Sequence, residues 1–150
     1  MDIPCWLTLM HLLLTNDDGI GAAGLETLAA ACLELGHRVT VLAPHVEQSM
    51  CGHRLTTHSP LKLVHLGAER DSLTGTPADC VRAAVFGLGL RPDWVVSGVI
   101  HGGNLGQDIY VSGTCAAARE ATYHGIRGMA FSHYLVRGLT PDWTRTQHSL

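Results

Sequence analysis

One lysine, Lys62, stands among ten basic residues, and these are outnumbered by thirteen acidic ones. With a formal net charge of −3 the chain has no basic stripe to offer a phosphate backbone, so a nucleic-acid polymer is not expected as a partner. No apolar run reaches the roughly 18 to 20 residues that cross a bilayer, so no membrane partner is expected. The five cysteines (Cys5, Cys32, Cys51, Cys80 and Cys115) are odd in number and contain no CxxC pair, and they read as reduced thiols of a cytoplasmic protein. MDIPCWLTL, residues 1 to 9, is apolar but has no basic region and is interrupted by Pro4. It reads as an N-terminal extension outside the domain rather than as a secretion signal.

What remains is a chain of 150 residues, 46% hydrophobic, long enough for one domain with a real core over residues 10 to 150. Residues 11 to 15 form a short apolar run, as expected of a parallel strand covered on both faces. Leu25, Leu28, Ala29, Cys32 and Leu35 fall at helical spacing over 24 to 35, and Gly36 follows as a C-terminal cap. HRVTVLAP, 37 to 44, is the next strand, completing a strand, helix, strand unit. A loop rich in Ser, His, Thr and Gly occupies 45 to 60. Further strands are expected at 61 to 66, 93 to 97 and 128 to 132; residues 75 to 89 read as a turn feeding a helix that starts near Pro77, and 115 to 125 as a helix closed by Gly125. A second glycine-bearing loop covers 98 to 114, and residues 132 to 150 carry no clear pattern. The alternation predicts a Rossmann-like, doubly wound α/β fold: a mostly parallel sheet with helices on both faces, in three layers.

In such sheets ligands lie beyond the carboxyl ends of the strands. Asn16, Asp17 and Asp18 follow the first strand, Ser49 lies in the loop after the second, and Ser97 to Thr114 follow a later one, so three loops converge on one edge. Two adjacent carboxylates repel unless a divalent cation lies between them, and oxygen donors point to a hard ion such as Mg²⁺, Mn²⁺ or Ca²⁺ rather than zinc, with Mg²⁺ or Mn²⁺ favoured. The same NDDG also suits a simple turn. Ser112, Gly113 and Thr114 open a helix whose free amides make a site for phosphate, or else form an ordinary Ser/Thr cap. Among the ten histidines, His53 and His101 lie in the two long loops and are the candidates for the site. Asp79 belongs to the first turn of a helix. Cys51 and Cys115 fall near the cleft but have no evident base, so no thiol nucleophile is expected.

LLLTNDDGI (12 to 20), APHVEQSMCGHRLT (43 to 56), GTPADCV (75 to 81), VVSGVIHGGNLG (95 to 106) and VSGTCAAARE (111 to 120), in that order, resemble the SurE family of metal-dependent nucleotidases. The resemblance implies a phosphomonoesterase that cleaves 5′- or 3′-nucleoside monophosphates with one divalent cation per subunit, as a homodimer or homotetramer. It assigns Asp17, Asp18 and Ser49 to the metal, makes Asp17, Asp18 and Asn16 the catalytic group, and leaves Ser112, Gly113 and Thr114 to hold phosphate. Where members read serine, glycine, isoleucine or valine, then asparagine, this chain reads Ser97, Gly98, Val99, Ile100, so the fourth metal ligand is replaced by an aliphatic side chain. Water, His101 or Asn104 are the expected auxiliaries. Gly21 and Ala23 stand where many members have histidine and proline. Members also normally continue beyond this length, so the usual C-terminal part is expected to be lacking.

The sequence leaves two alternatives to weigh against that resemblance. The chain could be a SurE-like relic that at most binds metal or nucleotide, as Ile100 suggests. A receiver domain, which also binds Mg²⁺ at an acidic pair, relies on a lysine after a late strand, and Lys62 lies in the wrong region for that.

Overall fold

The structure, a computed structural model, describes residues 9–134 and 139–150. Most of the expected N-terminal extension therefore lies outside the described residues. Six strands form one sheet: β1 (His11–Thr15), β2 (Arg38–Pro44), β3 (Leu63–Gly67), β4 (Arg70–Leu73), β5 (Trp94–His101) and β6 (Arg127–His133), in the order β3-β4-β2-β1-β5-β6. All neighbouring pairs are parallel except β3 with β4. Five helices accompany them: α1 (Ala23–Glu34), α2 (Pro77–Arg82), α3 (Asp108–Val111), α4 (Gly113–Tyr123) and α5 (Trp143–Gln147).

Alternation along the strands builds the three layers. Leu12 and Leu14 of β1 pack with Val39, Val41 and Val96 against Leu25 and Leu28 of α1. Leu13, between them, points the other way and joins Leu42 and Val95 against Val81 of α2 and Ala117 and Ala121 of α4. Leu13, Leu14 and Leu25 are fully buried, each contributing about 1.5–3 kcal/mol of apolar burial. The first turn of α1 sits directly on β5: a Cβ added at Gly24 would lie 1.8 Å from the Val99 carbonyl oxygen, so only glycine allows the approach.

Several elements differ from the sequence expectation. The third expected strand is displaced slightly, to 63–67, and pairs with β4, whose sequence RDSL has no apolar run to announce it. The helix expected from near Pro77 does begin there, but it is α2 for six residues and then a single π-helical turn, Ala83–Gly87. β5 runs to His101 rather than stopping at Ser97, which shortens the second loop and carries Ile100 to the sheet edge. The tail holds α5, capped by the Asp142 carboxylate accepting from the Arg145 amide at 3.0 Å.

The start of α2 also anchors the 45–60 loop. Thr76 and Asp79 form a reciprocal capping box, with Pro77 in the first turn. The Thr76 hydroxyl donates to the Arg54 carbonyl at 2.6 Å, and the Asp79 carboxylate accepts from the Thr56 amide at 2.9 Å and hydroxyl at 2.7 Å. Thr76→Ala removes both the cap and the tie to the loop, and is expected to cost about 1–2 kcal/mol of unfolding free energy, read from the urea midpoint at constant slope.

Candidate metal and phosphate site

The turn after β1 is set by Asn16. Its buried side chain donates from Nδ2 to the Gly19 carbonyl at 2.9 Å and accepts the Gly19 amide on Oδ1 at 3.1 Å. Both ends of the amide bond within the turn, so Asn16, expected in the catalytic group, fixes the backbone that presents Asp17 and Asp18. The loop after β2 closes over this turn, the Gln48 amide donating to the Asp17 carbonyl at 2.7 Å.

A cleft of about 330 Å³ opens at the carboxyl ends of β1 and β5, lined by Asp17, Asp18, Ser49, Ile100, His101 and Ser112, with Asn104 and Asp108 at its wall. Asp17 is only 7% exposed. Its Oδ1 accepts from the Thr114 hydroxyl at 2.7 Å and its Oδ2 from the Thr114 amide at 3.3 Å. The expected phosphate cradle at the start of α4 therefore holds Asp17, because a carboxylate from the neighbouring strand already meets the free amides and the positive end of the helix. Gly113 makes the approach possible: a Cβ there would fall 2.9 Å from the Asp17 Cβ and 2.8 Å from the Cys51 Sγ. Ser112 caps α4, accepting from the Cys115 amide at 3.1 Å, and of the three residues expected to hold phosphate it is the one that lines the cleft.

Asp18 is more open than Asp17, and its Oδ2 accepts the His101 amide at 3.2 Å. Burial pushes both carboxyls above the ordinary aspartate value; hydrogen bonds from Thr114 oppose the shift at Asp17, while the charges of Asp17 and Glu47 add to it at Asp18. Ser49 is exposed and gives its hydroxyl hydrogen to the Glu47 carboxylate, which leaves its oxygen lone pairs for another partner. Among the described residues no three His, Cys, Asp or Glu side chains converge as a metal cluster. Asp17, Asp18 and Ser49 offer this cleft two carboxylates and a serine oxygen, the donor chemistry that suits a hard cation.

Ile100 is 8% exposed and lines the same cleft as this set, without a donor atom. Of the expected auxiliaries, His101 borders the cleft with its ring exposed, and the Asn104 side chain donates to the Ser132 hydroxyl at 3.0 Å. Asp108 and Glu47 were not anticipated; the first lies on a four-residue helix inside an expected loop, and the second is marked only by its place two residues before Ser49. Cys51 and Cys115 are free thiols beside the site, and burial pushes Cys51 up, as does the charge of Asp17.

An open, mostly parallel α/β sheet with paired carboxylates at its carboxyl edge defines a Rossmann-like protein with an acidic cleft at the strand ends. The family described as survival protein SurE matches residues 12–149, and the chain belongs to that family. The 5′-nucleotidase SurE of Prochlorococcus marinus (strain MIT 9313) is 46% identical over 133 residues, covering 84% of this chain and 49% of the relative. That of Pelobacter propionicus is 50% identical over 124 residues, covering 82% and 50%. The crystal structure of the SurE protein from Aquifex aeolicus superposes with a TM-score of 0.84 at 36% identity, covering 93% of this chain and 56% of that one. The chain thus spans about half the length of these relatives. Among the described residues no helix is long and apolar enough to cross a membrane.

Proposed function

We propose that the protein is a divalent-cation-dependent phosphomonoesterase that cleaves nucleoside monophosphates to nucleoside and phosphate. The observation that carries this reading is the meeting of Asp17, Asp18 and Ser49 in one cleft of a SurE-family sheet. Asp17, Asp18 and Ser49 would hold one Mg²⁺ or Mn²⁺ per subunit, which when bound polarises a phosphoryl oxygen and lowers the pKa of a water. Thr114 keeps Asp17 in place and Asn16 keeps the turn rigid, so the donors are set before substrate arrives. Ser112, which lines the same cleft, would meet the phosphate, and Ile100 adds an apolar side chain to the lining. A cytoplasmic homodimer or homotetramer is the assembly this reading carries.

Phosphate release from a panel of 5′- and 3′-nucleoside monophosphates is expected to appear with Mn²⁺ and to vanish with chelator. Absence of Mn²⁺-stimulated release from every member of the panel overturns the catalytic reading. Ile100 favours one second reading, a SurE-like relic that binds metal or nucleotide without turnover. Calorimetry separates the two: Mn²⁺ uptake without hydrolysis identifies the relic.

A further inference from the structure

Glu120, on the third turn of α4, is 2% exposed and surrounded by donors from three segments. Its Oε2 meets His53 Nε2 of the 45–60 loop at 2.6 Å; its Oε1 meets His124 Nε2 at 2.7 Å and Arg82 Nη1 of α2 at 3.2 Å. Arg119 Nη1 lies 3.4 Å from His53 Nδ1. A guanidinium only donates, so Nδ1 is the acceptor and Nε2 carries the proton that faces Glu120. The Tyr123 ring stacks on the imidazole, centroids 5.6 Å apart and planes within 9°. Burial alone would push the Glu120 carboxyl up, but its three donors hold it below the ordinary glutamate value.

We infer that His53 is a positioning residue for the proposed hydrolysis: by donating to buried Glu120 it latches the Ser49-bearing loop onto α4, the helix that holds Asp17. The inference rests on the phosphomonoesterase reading. Ser49 and Asp17 belong to segments far apart in the chain, and a cation shared by them needs those segments in register. Between Ser49 and His53 the loop touches α4 and its approach twice more, through the Gly52 amide on the Val111 carbonyl at 2.8 Å and through the Cys51 thiol beside Gly113. His53 closes this contact with a hydrogen bond to a charged, buried acceptor, the strongest kind available to a neutral imidazole.

His53→Ala, His53→Gln and wild type are compared by alkylation of Cys51, mapped by peptide mass spectrometry, and by Mn²⁺ calorimetry. In His53→Ala, Cys51 is expected to label about tenfold faster and Mn²⁺ affinity to fall about tenfold, with kcat recovering at saturating Mn²⁺. Glutamine keeps a donor for Glu120 and is expected to restore both readouts to within about twofold of wild type. Unchanged labelling and affinity in the alanine variant, or a glutamine variant as impaired as alanine, overturns the latch. Wild type that neither binds Mn²⁺ nor hydrolyses nucleotide overturns the phosphomonoesterase reading, and Cys51 labelling then decides the latch alone.

Discussion

Asp17→Asn is expected to weaken Mn²⁺ binding by more than about a hundredfold and to abolish cation-stimulated hydrolysis, because a charge-assisted contact worth roughly 3 kcal/mol is exchanged for a neutral one. The substitution changes charge without changing size, so loss of packing does not enter. It also alters the partner set: the amide oxygen can accept from the Thr114 hydroxyl, but the amide nitrogen then faces the Thr114 backbone N–H, a second donor. Calorimetric titration reads the affinity directly, and an Asp17→Asn protein that binds Mn²⁺ as wild type does removes Asp17 from the metal site.

The same variant tests the electrostatics without a metal. Asp17 and Asp18 have carboxyl pKa values raised in the folded chain by burial. Between the ordinary aspartate value of about 3.9 and those raised values the folded state binds more protons than the unfolded one. Their contribution to stability is therefore fully present below the ordinary value and is lost as pH rises through the folded values. Urea unfolding in chelator is expected to show wild type losing stability relative to Asp17→Asn across this window, and added Mn²⁺ restoring wild type alone at neutral pH. A wild-type stability that rises relative to Asp17→Asn as pH increases over the same window contradicts the direction.

The fold was legible where burial leaves a mark in composition. β1, β2 and the start of β5 are covered on both faces and read as apolar runs, and the glycines after α1 and α4 adopt positive φ where the helices end. β4 was hidden because its first half serves polar partners: Arg70 reaches Glu26 and the Ile20 carbonyl, and Asp71 pairs with His65, leaving only Ser72 and Leu73 buried. The acidic pair announced itself by ending an apolar strand. What Asp17 bonds to did not, since Thr114 lies 97 residues away and its sequence surroundings fit a phosphate loop equally well. The signal at Glu120 is an acid within an alanine-rich helix, AAARE, but its partner His53 is separated by 67 positions and only the packed sheet brings them together.

The second large effect is a gain. Ile100→Asn is expected to raise Mn²⁺ affinity by about ten- to a hundredfold, the value of adding one oxygen donor to a charged partner. The side chain is already on the cleft wall with Asp17, Asp18 and Ser49, and asparagine is smaller than isoleucine, so the amide enters without overpacking. Replacing an apolar residue that is 8% exposed costs about 1–2 kcal/mol in the metal-free protein, so the variant melts lower in chelator and recovers with Mn²⁺. Stability and affinity thus move in opposite directions, which a simple repacking defect would not produce. If affinity rises and hydrolysis appears in a protein that was inert as wild type, the missing oxygen donor is the sole defect of the site. If affinity stays within about twofold of wild type, about 0.4 kcal/mol and too small for a new ligand, position 100 does not supply a ligand to the cation.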